Sequence, residues 1–139
     1  MHAPILAPAV ALMAWTMVMW GWLYVTRIPA IAKARMKMDP TIPRGEQMAL
    51  LPPAVRWKAD NYNHLMEQPT VFYAVVFALA LLDQGAGINL TLAWAYVILR
   101  VIHSLWQALV NHILTRFTIF SVSSLVLIAL VVNAARAAF

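Results

Sequence analysis

The apolar residues of this chain fall into four long runs separated by short polar segments. The runs lie at about 5–26, 54–82, 90–114 and 118–138. As an α-helix, each run is long enough to cross roughly 30 Å of hydrocarbon, because a helix rises about 1.5 Å per residue. Pro69 is expected to kink the second run, since proline removes one backbone hydrogen bond. The pattern predicts an all-α membrane protein whose residues 1–139 form a single four-transmembrane-helix bundle.

Composition supports a membrane protein, because 63% of the residues are hydrophobic and only 11% are charged. A soluble domain is about half apolar and about a quarter charged. A cleaved signal peptide is the alternative for the first run, but the run is longer than a signal h-region and no Lys or Arg precedes it. Trp20, Trp22 and Tyr24 near its end are typical of an interfacial aromatic belt. The first run is therefore predicted to be a retained span.

Charge predicts the orientation of the bundle. Seven of the ten Lys and Arg residues lie between residues 27 and 58: Arg27, Lys33, Arg35, Lys37, Arg44, Arg56 and Lys58. By the positive-inside rule this segment is cytoplasmic, which places both termini outside. No soluble basic surface is left for nucleic acid. The short, Ala-rich, loop-poor chain suggests the bacterial inner membrane.

Two apolar runs carry polar residues at helical spacing. The third run has them at i, i+3, i+7 and i+11: Arg100, His103, Gln107 and Asn111. The second has them at i, i+4, i+7 and i+11: Arg56, Asp60, Asn63 and Glu67. A charged group facing lipid costs several kcal/mol. Both stripes are therefore predicted to face inward, towards each other.

Depth along the helices predicts one specific contact. Glu67 lies roughly 13 Å and Arg100 roughly 16 Å from the inner surface, counted at about 1.5 Å per residue. A Glu67–Arg100 ion pair would neutralise both groups, with His103 one turn nearer the cytoplasm. Such a cluster either fixes helix register, as polar contacts between membrane helices do, or belongs to a functional site.

A second polar group lies nearer the inner surface and is the stronger candidate for a ligand site. It comprises Asp60, Asn63, Gln107, Asn111 and Arg116. These residues either line a cavity open to the cytoplasm or are solvated helix ends. No metal site is expected, because the chain has no cysteine and His103 and His112 fall on different helix faces.

The segments "NHLMEQPTVFY" (63–73) and "RVIHS" (100–104), with Arg116 sixteen residues after Arg100, resemble the MAPEG family. This name covers membrane-associated proteins in eicosanoid and glutathione metabolism. The resemblance implies a homotrimer of four-helix bundles whose active sites lie between subunits and open to the cytoplasm. It also implies glutathione as co-substrate and lipophilic substrates that enter from membrane lipid.

The resemblance also implies roles for individual residues. Glu67 resembles the family's glutathione-binding Glu, and His103 resembles a His of the same pocket. Arg116 resembles the Arg that stabilises the glutathione thiolate, and is the predicted catalytic residue. Arg27 resembles a clamp from the neighbouring subunit. Two further residues, Asn63 and Gln107, complete the predicted binding set.

Departures from the family pattern keep other functions open. Positions that carry hydroxyl groups in glutathione-using members fall here on Gln107, Phe117 and Phe120. The first hypothesis is a glutathione transferase or peroxidase acting on lipophilic electrophiles or hydroperoxides. The second is a non-catalytic member that binds a lipid or small anion in the same cavity. The third is a proton-coupled transporter built around Glu67, against which a paired Arg100 argues.

Overall fold

The computed structural model describes residues 3–139. Its helices are α1 (Leu6–Lys33), α2 (Pro53–Leu65), α3 (Pro69–Leu81), α4 (Gly87–Leu109) and α5 (Ile113–Ala138), with a short 3₁₀ helix at Met48–Leu50. Three of them, α1, α4 and α5, are long and apolar enough to span a membrane, and so is the continuous segment formed by α2 and α3. The predicted all-α bundle with four spans is confirmed.

The second span is broken where the sequence predicts a kink. The first half, α2, ends at Leu65, and Pro69 occupies the first turn of α3. A proline is tolerated there, because the N–H groups of a first helical turn have no partner within the helix. The helix is thus interrupted just before Pro69, where the sequence predicts a kink.

The first helix continues to Lys33, although its apolar run ends near residue 26. It stops where Arg35 adopts a left-handed conformation, with φ of 50°. The N–H of Arg35 then donates to the Ala32 carbonyl, and the N–H of Met36 donates to the Ile31 carbonyl. These two bonds form the Schellman motif, which satisfies carbonyls left free at a helix end.

The turn between the last two spans comes earlier than the apolar pattern predicts. The third span ends at Leu109 rather than near residue 114, and the fourth begins at Ile113 rather than near residue 118. Asn111 causes the break, since its φ of 53° is left-handed and Asn tolerates that region better than most residues. His112 caps α5 by accepting a bond from the Thr115 N–H. Arg116 therefore lies in the first turn of α5.

The bundle interior is mainly apolar in the half that lies away from residues 34–52. Phe72 of α3 stacks on Tyr96 of α4, with ring centroids 4.5 Å apart. Leu12, Val76 and Leu130 are fully buried in the same cluster. We call the end that carries residues 34–52 and the turn 110–112 the basic end. Polar side chains concentrate between this apolar cluster and the basic end.

Candidate functional site

The polar stripe of α4 is buried inside the bundle. Arg100, His103 and Gln107 are 0%, 1% and 3% exposed. Their spacing places them on one helix face, and that face packs inward as predicted. Asn111 does not continue the stripe, because it lies beyond the end of the helix.

Arg100 bonds to His64 and not to Glu67. Its Nη2 lies 2.9 Å from the His64 Nδ1 and donates to the His64 carbonyl oxygen at 3.2 Å. The Nε and Nη1 atoms of Arg100 are buried without a hydrogen-bond partner in residues 3–139. Glu67 is exposed on the surface of the bundle. The predicted Glu67–Arg100 ion pair is therefore not formed within the described chain.

The physical reason is the rotation of α2 about its axis. The α2 residues that face α4 are Asn61 and His64, and Gln68 follows in the turn before α3. Asp60 and Asn63 are exposed. The prediction that both polar stripes face each other is thus correct for α4 and wrong for the second span. A second stripe at i, i+3 and i+7 (residues 61, 64 and 68) was present in the sequence and is the signal that was missed.

The His64 ring packs against two other aromatic rings. It stacks on His103 at 4.8 Å with an interplanar angle of 22°, and meets Phe120 edge-on at 5.3 Å. The Arg100 guanidinium lies 5.7 Å from the centre of the Phe120 ring, within the range of a cation–π contact. Helices α2, α4 and α5 are joined at this point.

Two further hydrogen-bonded groups tie helices together. The Ser104 hydroxyl accepts bonds from Trp15 Nε1 at 3.0 Å and from Asn61 Nδ2 at 2.8 Å. The Tyr96 hydroxyl donates to Gln68, whose amide donates to the Ser124 hydroxyl. Polar groups paired across helices in this way fix their register.

Arg116 lies on the same face of α5 as Phe120, one turn nearer the basic end. It is half-buried, and its Nη1 donates to the Asn111 Oδ1 at 2.6 Å. Gln107 is buried, and its Oε1 has no hydrogen-bond partner in the described chain. Arg116, Phe120 and the two stacked histidines thus follow one another from the basic end into the bundle.

A polar cleft of about 530 Å³ opens at the basic end between α1, the 3₁₀ segment and α2. Arg27 comes from α1, Arg44 from the loop, and Arg56, Asp60 and Asn63 from α2. Of the predicted binding residues, the structure brings Arg27 and Asn63 together here. Four others do not line this cleft: Glu67, His103, Gln107 and Arg116. Arg44 was missed, because a loop residue has no periodicity to mark it.

The loop beside the cleft has a defined shape. The Asp39 carboxylate accepts bonds from the Thr41 hydroxyl at 2.7 Å and the Thr41 N–H at 2.9 Å. These two bonds lower the pKa of Asp39, because they stabilise its ionised form. Gln47 accepts from the Asp39 N–H and donates to the Lys37 carbonyl. In residues 3–139 no three His or carboxylate side chains converge as a metal site would require.

These features define a class: a polytopic helical membrane protein with a polar interior and a cationic cleft at one end. Within that class, the chain belongs to the MAPEG family, whose model matches residues 5–136. It is thus an integral membrane protein of the family involved in eicosanoid and glutathione metabolism. Searches of curated proteins and of solved structures gave no significant match.

Proposed function

We propose that this protein uses glutathione to conjugate or reduce lipophilic electrophiles or hydroperoxides that reach it through the bilayer. The observation that carries the proposal is the arginine-lined cleft at the end of the bundle where Arg116 lies, in a chain of the MAPEG family. Glutathione carries two carboxylates, which arginines bind with paired, charge-assisted hydrogen bonds.

Arg116 is the proposed catalytic residue. A thiol must ionise before it attacks, and a fixed cation beside the sulfur stabilises the thiolate. Its bond to Asn111 holds the guanidinium in place. The thiol proton passes to water. The thiolate then attacks an electrophilic carbon, and the leaving group departs with its bonding electron pair. Arginine acts as an electrostatic stabiliser here and does not serve as the base.

We propose that the complete site lies between subunits of a homotrimer. Asp60, Asn63 and Glu67 are exposed on the second span, and polar groups facing lipid are costly. A neighbouring copy would cover them. Arg27, Asn63 and Glu67 would then hold the peptide, and Arg116 would lie beside the sulfur. His103 and Gln107 are buried inside the bundle and would not contact it.

The test is thiolate formation on the purified protein, followed by rapid-mixing ultraviolet absorbance. Wild type is expected to show a glutathione-dependent thiolate signal. Arg116→Ala is expected to lower the rate of the thiolate-dependent conjugation reaction by about 10²-fold or more. This is the usual cost of losing one fixed electrostatic stabiliser. Arg136→Ala is the matched control, since Arg136 is exposed near the opposite end of α5. An equal signal in Arg116→Ala and wild type would refute the role of Arg116.

A lipid-binding protein without catalysis is the second candidate. An apolar groove of about 490 Å³ runs along the outside of α1 and α4, lined by Trp15, Val18, Trp94 and Ile98 among others. In addition, Gln107, Phe117 and Phe120 offer no hydroxyl to a sulfur. Native mass spectrometry that retains a lipid, with no glutathione binding at millimolar concentration, would favour this candidate.

The transporter hypothesis loses one counter-argument, because Arg100 does not pair with Glu67. Membership in the MAPEG family nevertheless favours the first two candidates. Transport in proteoliposomes that is lost in Glu67→Gln would restore the transporter hypothesis.

We also propose that the basic end faces the cytoplasm of a bacterial inner membrane. The cations between residues 27 and 58 support that orientation through the positive-inside rule.

A further inference from the structure

The charges of the cleft are unbalanced. Arg27, Arg44 and Arg56 line it, and Asp60 is the one carboxylate among its lining residues. The Nε atoms of Arg27 and Arg56 are buried without a hydrogen-bond partner in residues 3–139. A buried donor left unpaired is costly. The cleft therefore favours a ligand with more than one anionic group, whose oxygens would accept from these arginines.

Arg44 reaches the cleft from the loop and not from a helix. It stands between Pro43 and Gly45, and Gly45 has φ of 91°, a conformation that suits glycine. The N–H of Glu46 donates to the Pro43 carbonyl, and the N–H of Ala49 donates to the Gly45 carbonyl. This turn directs the chain back along the rim of the cleft.

Side chains of the loop that carries Arg44 form hydrogen bonds within the loop itself. Gln47 joins the Lys37 carbonyl to the Asp39 N–H, and Asp39 holds Thr41. Because the Gln47 bonds join residues 37 and 39 to residue 47, the segment 37–47, which contains Arg44, forms one closed loop. We call residues 37–47 the strap.

We propose that the strap is part of the ligand site and that Arg44 is its binding residue, a third cationic contact beside Arg27 and Arg56. The ligand class is a small molecule with two carboxylates and one ammonium group. The carboxylates would bind the arginines, and the ammonium would bind Asp60. This inference rests on the proposed function, since glutathione has that pattern of charges.

The strap carries other cations that serve as an internal comparison. Lys37 is exposed and does not line the cleft, and the same holds for Arg35 just before the strap. If the loop only attracted anionic lipid headgroups, removal of any of these charges would have a similar effect. The proposal instead requires that Arg44 matter to the ligand and Arg35 not.

The experiment is calorimetric titration of glutathione into the purified full-length protein in nanodiscs of zwitterionic lipid. Arg44→Gln is expected to raise the Kd for glutathione about fivefold, as loss of one charge-assisted contact from an exposed arginine would. The matched control Arg35→Gln is expected to leave Kd unchanged. Gly45→Ala tests the strap without removing a charge, because an added Cβ meets no atom within 4 Å but strains the backbone. Gly45→Ala is also expected to weaken glutathione binding.

Limited trypsin digestion supplies a second readout. Glutathione is expected to slow cleavage after Arg44 and to leave cleavage after Lys37 unchanged. Equal Kd values in wild type and Arg44→Gln, without protection at Arg44, would overturn the role of the strap and leave the glutathione proposal standing. Protection by anionic lipid vesicles and not by glutathione would overturn it as well.

If the wild-type protein does not bind glutathione, the experiments give a different set of results. If wild type does not bind glutathione but binds citrate in an Arg44-dependent manner, the strap stands as part of a polyanion site and the glutathione proposal falls. If neither molecule binds, both fall.

Discussion

Arg100 is a cation in the middle of an apolar bundle, and its hydrogen-bond partner is a histidine. A guanidinium can only donate hydrogen bonds. The His64 Nδ1 must therefore accept from Arg100, and the ring hydrogen of His64 resides on Nε2. Stacking on His103 and contact with Phe120 hold the ring in that orientation.

The pairing of Arg100 can be tested with double-mutant cycles. We expect a coupling free energy of about 1.5–3 kcal/mol between Arg100 and His64, the usual contribution of a hydrogen bond to a charged group. We expect a smaller coupling between Arg100 and Glu67, because no hydrogen bond joins these two side chains in the described chain. The variants are Arg100→Met, His64→Ala and Glu67→Ala, measured by reversible unfolding in mixed micelles.

The cycle removes contributions that each variant makes elsewhere, such as an interface role of Glu67. A coupling of the same size for Glu67 as for His64 would restore the ion pair that the sequence predicts.

At the scale of elements, one backbone conformation sets where two spans end. Asn111 is left-handed and its side chain accepts from Arg116, so the same residue ends α4 and positions a side chain on α5. Had α4 continued to residue 114, Arg116 would have lain in the connecting turn and not on a helix face beside Phe120.

Substitution of Asn111 distinguishes these two arrangements. Asn111→Ala is expected to lower the free energy of unfolding by about 1–2 kcal/mol, the cost of a left-handed conformation for an ordinary residue. Asn111→Gly should cost less, because glycine adopts that conformation freely. Chemical unfolding of each variant measures the difference. A neutral or stabilising Asn111→Ala would indicate a continuous helix, where alanine is the best helix former.

At the scale of the whole molecule, charge divides the bundle into two unlike ends. The basic end carries most of the cations, and the opposite end carries Arg136 and the connection between α3 and α4. The cleft and Arg116 both belong to the basic end. The orientation of the bundle therefore decides which compartment supplies a water-soluble ligand.

The chain has no cysteine, so single cysteines report orientation without a background signal. Met38→Cys lies in the strap, and Ala86→Cys lies in the connection at the opposite end; both positions are exposed. In intact spheroplasts a membrane-impermeant maleimide is expected to label Ala86→Cys only. In inverted vesicles it should label Met38→Cys only. The reverse pattern would place the cleft outside.

Much of the fold could be predicted, because span length and mean hydropathy follow directly from the order of the residues. Pro69 marked the break of the second span, and the inward face of α4 was read from Arg100 and His103. The site was predicted less well. Two faces of α2 are polar, and periodicity alone does not say which of Asn63 or His64 packs against α4.

By itself, the sequence determined the four spans, the unequal charge of the two ends and the membership of the family. These depend on composition and spacing along a single helix. Only the tertiary structure decided that Arg100 bonds to His64, that Asn111 ends α4, and that Arg44 joins Arg27 at one cleft. Those contacts depend on how each helix is rotated about its axis and on where the loop between two spans returns. Packing among several elements fixes both at once.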